Sequence, residues 1–408
     1  MSNKWNYVSY KNKYIKLKNI LKGGWLNDTE KKYLDIFKGE YINYENFSNH
    51  YDFKKMTLEN VMNSAAGNTL YVINPKDNND IHFVGKFFPI YNEFWEIYKT
   101  NMESIDSQND RNLYNNLLRN ILGKKYPLRK NTENEAYITV ICDTISKNDI
   151  NPCFIRLIDY FKSNFYTKLD FNNYEVILPT SGHSLSQKFI HIITPFYTPN
   201  FQNLNPDNKQ LFLNNKELCC FSIFHALYIS FKLFKFVHGD IETGTNNNMM
   251  FRIANLDNIE YIAYEIKKNN SNVYYLFKLT NPNKFPLIIL HDYGRSHVNI
   301  NGKQINAAST VYINKPITES LISNRRSDLR GIGNVFRNIF SININPYYNI
   351  SINNNEELIN ITNFESIFGK NNYEYFDTED KFNQATKDFQ NKIKIYKEKD
   401  IDYKQISD

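Results

Sequence analysis

Phe236-Val237-His238-Gly239-Asp240 decides the reading of this chain, together with Asn246-Asn247-Asn248-Met249-Met250 just after it and Leu290-His291-Asp292-Tyr293-Gly294 further on. The first stretch is a His-x-Asp turn, the second an amide entering an apolar run, and the third an apolar strand that ends in Asp-aromatic-Gly. An aspartate fixed in a rigid turn can orient a hydroxyl and accept its proton, which is the role open to Asp240. Asn248 and Asp292 would add two hard oxygen ligands for magnesium, with Asn246 and Asn247 as rivals of Asn248. Such a set serves phosphoryl transfer. Gly239 permits a tight backbone, His238 would brace the turn by hydrogen bonding, and Gly294 would let the chain turn away beyond Asp292.

Working upstream, residues 217–236 read as a helix. Its apolar run, 218–237, holds His225, Lys232 and Lys235, so a buried helix explains it better than a membrane span. Before it, Thr194-Pro195-Phe196-Tyr197-Thr198-Pro199 reads as an extended connector at the end of a strand, 189–193, with backbone groups around Thr194 and Phe196 open to an adenine. Another strand is expected at 154–161. Residues 58–62, 69–73 and 81–88 read as a three-stranded antiparallel meander, and its small-residue turn Ser64-Ala65-Ala66-Gly67 could approach a phosphate. Lys86 sits in the third strand among Phe83, Val84, Phe87 and Phe88. It either faces solvent from an edge strand or grips nucleotide phosphates. Glu135, Ile138, Cys142 and Ile145 fall on one helical face, so Glu135 is the candidate partner for Lys86. The alternative is a first-turn carboxylate that faces water and favours the helix dipole.

The bulk numbers bound the answer. The 408 residues, 41% of them apolar, allow one large two-lobed domain or two medium ones. A net charge of +6, from 49 basic and 43 acidic residues, is too mild to argue for nucleic acid. The four cysteines show neither metal-binding spacing nor a disulfide framework, which fits a reducing compartment. No secretory signal is visible, so a soluble, non-secreted protein is expected. Residues 5–22 read as a basic amphipathic helix that Gly23-Gly24 stops, suited to packing on its own protein or to membrane or partner contact.

In combination, the small-residue turn, strand lysine, helix glutamate, proline-rich connector, apolar helix, His-x-Asp, Asn and strand-Asp-aromatic-Gly resemble the protein-kinase-like family. The resemblance covers 58–342, and Ser327-Asp328-Leu329-Arg330-Gly331 looks like the start of the central C-lobe helix whose aspartate ties down the catalytic turn. Serine/threonine kinases of giant DNA viruses are similar in their basic, Tyr-rich start and long insert. What the resemblance implies is an α+β, two-lobed fold with a small antiparallel-sheet N-lobe and a mainly helical C-lobe, with ATP and Mg2+ in the cleft. The divisions would be an N-terminal helix at 1–24, an N-lobe at 25–193 with a helical insertion about 91–130, and a hinge at 194–200. A C-lobe would follow at 201–345 with an insertion about 252–284, then an extension at 346–408 bearing a charged helix at about 380–399.

By the same resemblance Lys86 would hold the α and β phosphates and Glu135 would pair with it. Gly67, Thr194 and Phe196 would line the nucleotide, Asp240 would be the catalytic base, and Asn248 and Asp292 would bind the metal. The expected substrate is a protein Ser/Thr, with no nucleic-acid partner, in host cytoplasm or virion. The chain departs from the family in a sparse glycine loop and in Glu242, which stands where a lysine that meets the transferring phosphate is usual. It also has a longer catalytic loop and lacks an Ala-Pro-Glu motif. A pseudokinase scaffold, a virion or host-interaction protein and a small-molecule kinase are the alternatives.

Overall fold

The computed structural model describes residues 26–53, 70–90, 132–170, 173–177, 188–198, 200–241, 248–268, 271–307, 317–344, 368 and 373–401. The expected N-terminal helix with Gly23-Gly24, the strand at 58–62, the Gly67 turn, the insertion at 91–130, Glu242, Asn246 and Asn247 lie outside them.

The chain is a mixed α+β structure. Strands β1 (Tyr41–Ile42), β2 (Tyr51–Phe53), β3 (Leu70–Pro75), β4 (Phe83–Ile90), β5 (Asp159–Ser163) and β8 (Lys188–Pro195) form one sheet in the order β1-β5-β8-β4-β3-β2. A separate hairpin joins β6 (Tyr166–Asp170) to β7 (Asn173–Ile177). Strand β4 is internal: Lys86 pairs with Leu70 on one side and Ile192 on the other. The edge-strand reading of Lys86 is therefore excluded. A short helix, α1 (Tyr44–His50), is capped by Asn43, whose side chain accepts from the Asn46 amide. Expected residues 154–161 form a strand only from Asp159. Before that, Phe154 makes an isolated bridge to Leu290.

Helix α2 (Thr132–Lys147) packs on β4 and β8, and the stripe read from sequence is its buried face: Glu135, Ile138, Cys142 and Ile145 are all inside. After α3 (Pro206–Asn214) comes α4 (Lys216–Phe234), buried on every side from Leu218 to Ser230. Among the described residues it is the one helix long and apolar enough to cross a membrane, and 78% of its apolar window is buried within the protein. Asn151 fastens it, donating to the Ser222 carbonyl and to His225 Nδ1.

Beyond α4 the chain is richer in strands than expected. Strand β9 (Met249–Asn255) pairs antiparallel with β12 (Lys284–Leu290). Residues 252–284, expected as an insertion, contain the rest of β9 and the hairpin β10 (Tyr261–Lys268) and β11 (Ser271–Lys278). A second hairpin joins β13 (His297–Ile300) and β14 (Lys303–Asn306). Helix α5 (Ile317–Phe340) places Asp328 in its middle, not at its start.

The charged helix expected at about 380–399 is corrected by the structure. The α-helix is only α6 (Glu379–Thr386), a 3-10 turn follows at Gln390–Lys392, and Ile393–Lys397 is a strand, β16, which pairs parallel with β10. With β15 (Glu374–Phe376) it completes a four-stranded sheet, β15-β11-β10-β16. The physical reason is packing: Tyr396 is buried against Tyr264, with ring centroids 5.4 Å apart, which a continued helix could not arrange from the same register.

Candidate active site

Three elements deliver three charges to one point. Lys86 rises from β4, Glu135 heads the buried face of α2, and Asp292 follows the end of β12. Lys86 Nζ lies 2.5 Å from Glu135 Oε1 and 3.0 Å from Asp292 Oδ1. Burial opposes the Lys86 charge, but the Asp292 and Glu135 carboxylates outweigh it and raise its pKa. The ammonium in turn holds the Asp292 carboxyl well below the usual carboxylate range despite burial. Glu135 is pushed up to about 7, because burial there outweighs the attraction of Lys86 and Asp292 adds a like charge. The site thus holds one firmly ionised carboxylate, one poised near neutrality and one cation between them.

Strand register brings the amide to the same place. Because Met249 pairs with Leu290, the residues just outside the pair, Asn248 and His291, are neighbours, and the His291 amide donates to the Asn248 carbonyl at 3.3 Å. Asn248 Nδ2 donates to the Asp240 carbonyl at 2.7 Å. A carbonyl can only accept, so the amide nitrogen must face Asp240, and Oδ1 is left as the group's acceptor. Asp292 itself is left-handed, with φ 59°, whereas Gly294 has no positive φ. The turn beyond the strand is therefore made at the aspartate, which tolerates this region better than most residues, and not at Gly294 as expected.

The His238-Gly239-Asp240 turn is fixed from below by a buried carboxylate. Asp328 accepts from the amide of His238 at 2.9 Å and from that of Gly239 at 2.9 and 3.1 Å, and the Ile241 amide is a third donor. Burial lifts Asp328 to about 7, against the pull of those N–H groups. Gly331 lies three residues along the same helix, so it faces the same turn. A Cβ there would overlap the Ile241 carbonyl, which is why the helix can approach so closely.

His238 Nε2 donates to the His291 carbonyl at 2.9 Å, tying the turn to the residue before Asp292. Burial lowers its pKa to about 4, so the ring is neutral and acts as a brace. Tyr293 packs on that ring, with centroids 5.4 Å apart, and donates its hydroxyl to the Leu290 carbonyl.

The connector is less engaged. Thr194 is buried and still in β8, opposite Val84, while Phe196 is 47% exposed. Thr198 then exchanges two backbone hydrogen bonds with Phe251, joining the large sheet to β9. Lys86, Glu135 and Asp292 therefore meet directly, and Asn248 and Asp240 join them through the backbone. Gly67 lies outside the described residues. Sequence reading missed Arg295, whose Nη1 is 2.9 Å from Asp240 Oδ1. The available signal was slight: a cation just beyond Asp-Tyr-Gly.

No protein-family model matches the chain, and no curated protein matches it in sequence.

Proposed function

We propose that this chain is an ATP- and Mg2+-dependent phosphotransferase of two-lobed, protein-kinase-like architecture, acting on a protein serine or threonine hydroxyl. The observation that carries the proposal is the Lys86 ammonium held between Glu135 of a helix and Asp292 of a strand end, more than 200 residues away in the chain. A half-buried cation against one buried and one half-buried carboxylate is still costly to assemble, and replacing such a group with apolar side chains is often neutral or stabilising. Its presence is better explained by a charged ligand than by folding.

In this reading Lys86 takes the α and β phosphates and Glu135 keeps the ammonium in place between turnovers. Asp292 and the Asn248 amide oxygen are hard donors that suit Mg2+, an ion that takes few protein ligands and completes its shell with phosphates and water. When bound, the ion would neutralise charge on the phosphates. Asp240 orients the acceptor hydroxyl and accepts its proton. Its turn is held by Asp328 below, His238 beside and Asn248 above, so little rearrangement is needed at the moment of transfer.

The test is transfer of labelled γ-phosphate to a mixed panel of protein and small-molecule acceptors. Asp240→Asn is expected to lower transfer by at least about 100-fold while sparing Mg-ATP stabilisation. Mg-ATP binding with no transfer by the parent would favour a scaffold, and equal transfer by the variant would sink the assignment of the base.

A further inference from the structure

The carboxylate of Asp240 meets a cation that comes from outside its own turn. Arg295 stands three residues after Asp292, and its main chain is locked against the turn. Gly239 has φ 77°, and a Cβ on it would come within 2.6 Å of the Arg295 carbonyl oxygen. On the next residue, Ser296 Oγ donates to the His238 carbonyl at 2.8 Å, and His297 exchanges two backbone hydrogen bonds with Val237, at 3.0 and 2.9 Å. The stem of Arg295 is thus registered on the turn as firmly as Asp240 itself. Its guanidinium, by contrast, reaches outward: the Arg295 side chain is 56% exposed and Asp240 21%. An ion pair that open adds little to folding.

Charge says what it is for. Phosphoryl transfer gathers negative charge on the oxygens of the moving group beside Asp240. Lys86 is engaged with Glu135 and Asp292. We propose that Arg295 is a catalytic residue, donating to a non-bridging oxygen of the transferring phosphoryl group while it holds Asp240. This rests on the phosphotransferase reading above.

In that step the acceptor oxygen bonds to phosphorus as the bond from phosphorus to the β-phosphate oxygen breaks. The hydroxyl proton passes to the Asp240 carboxylate, and the bonding pair leaves with ADP. A guanidinium carries five N–H donors in a planar fork, so one edge can hold a carboxylate and another a phosphoryl oxygen.

The experiment compares Arg295→Ala and Arg295→Lys in the full chain, with Mg-ATP and an acceptor that the parent phosphorylates. Arg295→Ala is expected to lose about 100-fold in kcat and to keep its thermal shift with Mg-ATP. Arg295→Lys should recover part of the loss. Added guanidinium at millimolar level should raise the rate of Arg295→Ala but not that of Asp240→Asn, a response that a merely structural role would not give. Transfer by Arg295→Ala within about threefold of the parent would overturn the proposal. So would loss of the Mg-ATP shift together with transfer and no guanidinium response. A parent that transfers phosphate to no acceptor and hydrolyses no ATP would instead bring down the phosphotransferase reading, and this proposal with it.

Discussion

Asp328→Ala perturbs the turn without touching any group proposed to meet substrate. The alanine would leave three buried backbone donors, those of His238, Gly239 and Ile241, facing a void that water cannot readily enter, since Asp328 is only 1% exposed. Each unsatisfied buried donor costs about 1–3 kcal/mol, and partial relaxation of a short turn puts the total at about 3–6 kcal/mol. That is a large share of the roughly 5–15 kcal/mol by which domains are stable. Urea unfolding followed by circular dichroism should show a lower midpoint with an unchanged slope. Asp328→Asn keeps the volume and one acceptor oxygen, so it should lie between the parent and the alanine variant. A loss under about 1 kcal/mol for Asp328→Ala would refute the reasoning, because it would mean that the turn does not depend on this carboxylate.

Glu135 makes a pH prediction whose sign follows from its environment. Burial raises it from 4.5 to about 7, so between those values the folded chain keeps a proton that the unfolded chain has released. Its contribution to stability is full below the unfolded value and is lost as pH rises through the folded one. Relative to Glu135→Gln, the parent should therefore lose stability between pH 5 and pH 8 in parallel urea titrations, and a gain would contradict the assignment. Gly331→Ala forces α5 and the Ile241 carbonyl apart, and overpacking of this kind costs about 1–3 kcal/mol. A melting temperature equal to that of the parent would show that the helix does not press on the turn.

How much of this was legible before the fold depends on the kind of pattern. Helix α2 announced itself because Glu135, Ile138, Cys142 and Ile145 repeat at helical steps, and its buried face follows that spacing. The strands at 252–284 did not. β10 and β11 are buried on both faces over their central residues, so they lack the alternation that marks a half-exposed strand. The C-terminal error was of the opposite kind. Phe382, Phe389, Ile393 and Tyr396 fit a helical wheel, yet Ile393-Lys394-Ile395 also alternates with period two, and its isoleucines favour a strand. Pairing with β10 decided between two patterns that sequence left level.

At the site, Lys86 stood out because a charge in an apolar run is costly, and Asp292 because it ends a strand in Asp-aromatic-Gly, whereas their mutual distance depends on how β4, α2 and β12 pack. Asn248 could not be separated from Asn246 and Asn247 by sequence. Its bond to the Asp240 carbonyl now gives it a geometric place. The left-handed turn fell on Asp292 and not on the nearby glycine, although glycine takes that region more readily still.

The most direct test is a crystal of the full chain grown with a non-hydrolysable ATP analogue and Mn2+, read by its anomalous scattering. The account predicts a manganese peak about 2.0–2.2 Å from both the Asp292 carboxylate and the Asn248 amide oxygen, with the Lys86 ammonium on the α and β phosphates. Nucleotide bound with its metal on other side chains, or no nucleotide between Lys86 and Asp240 at saturating concentration, would contradict it.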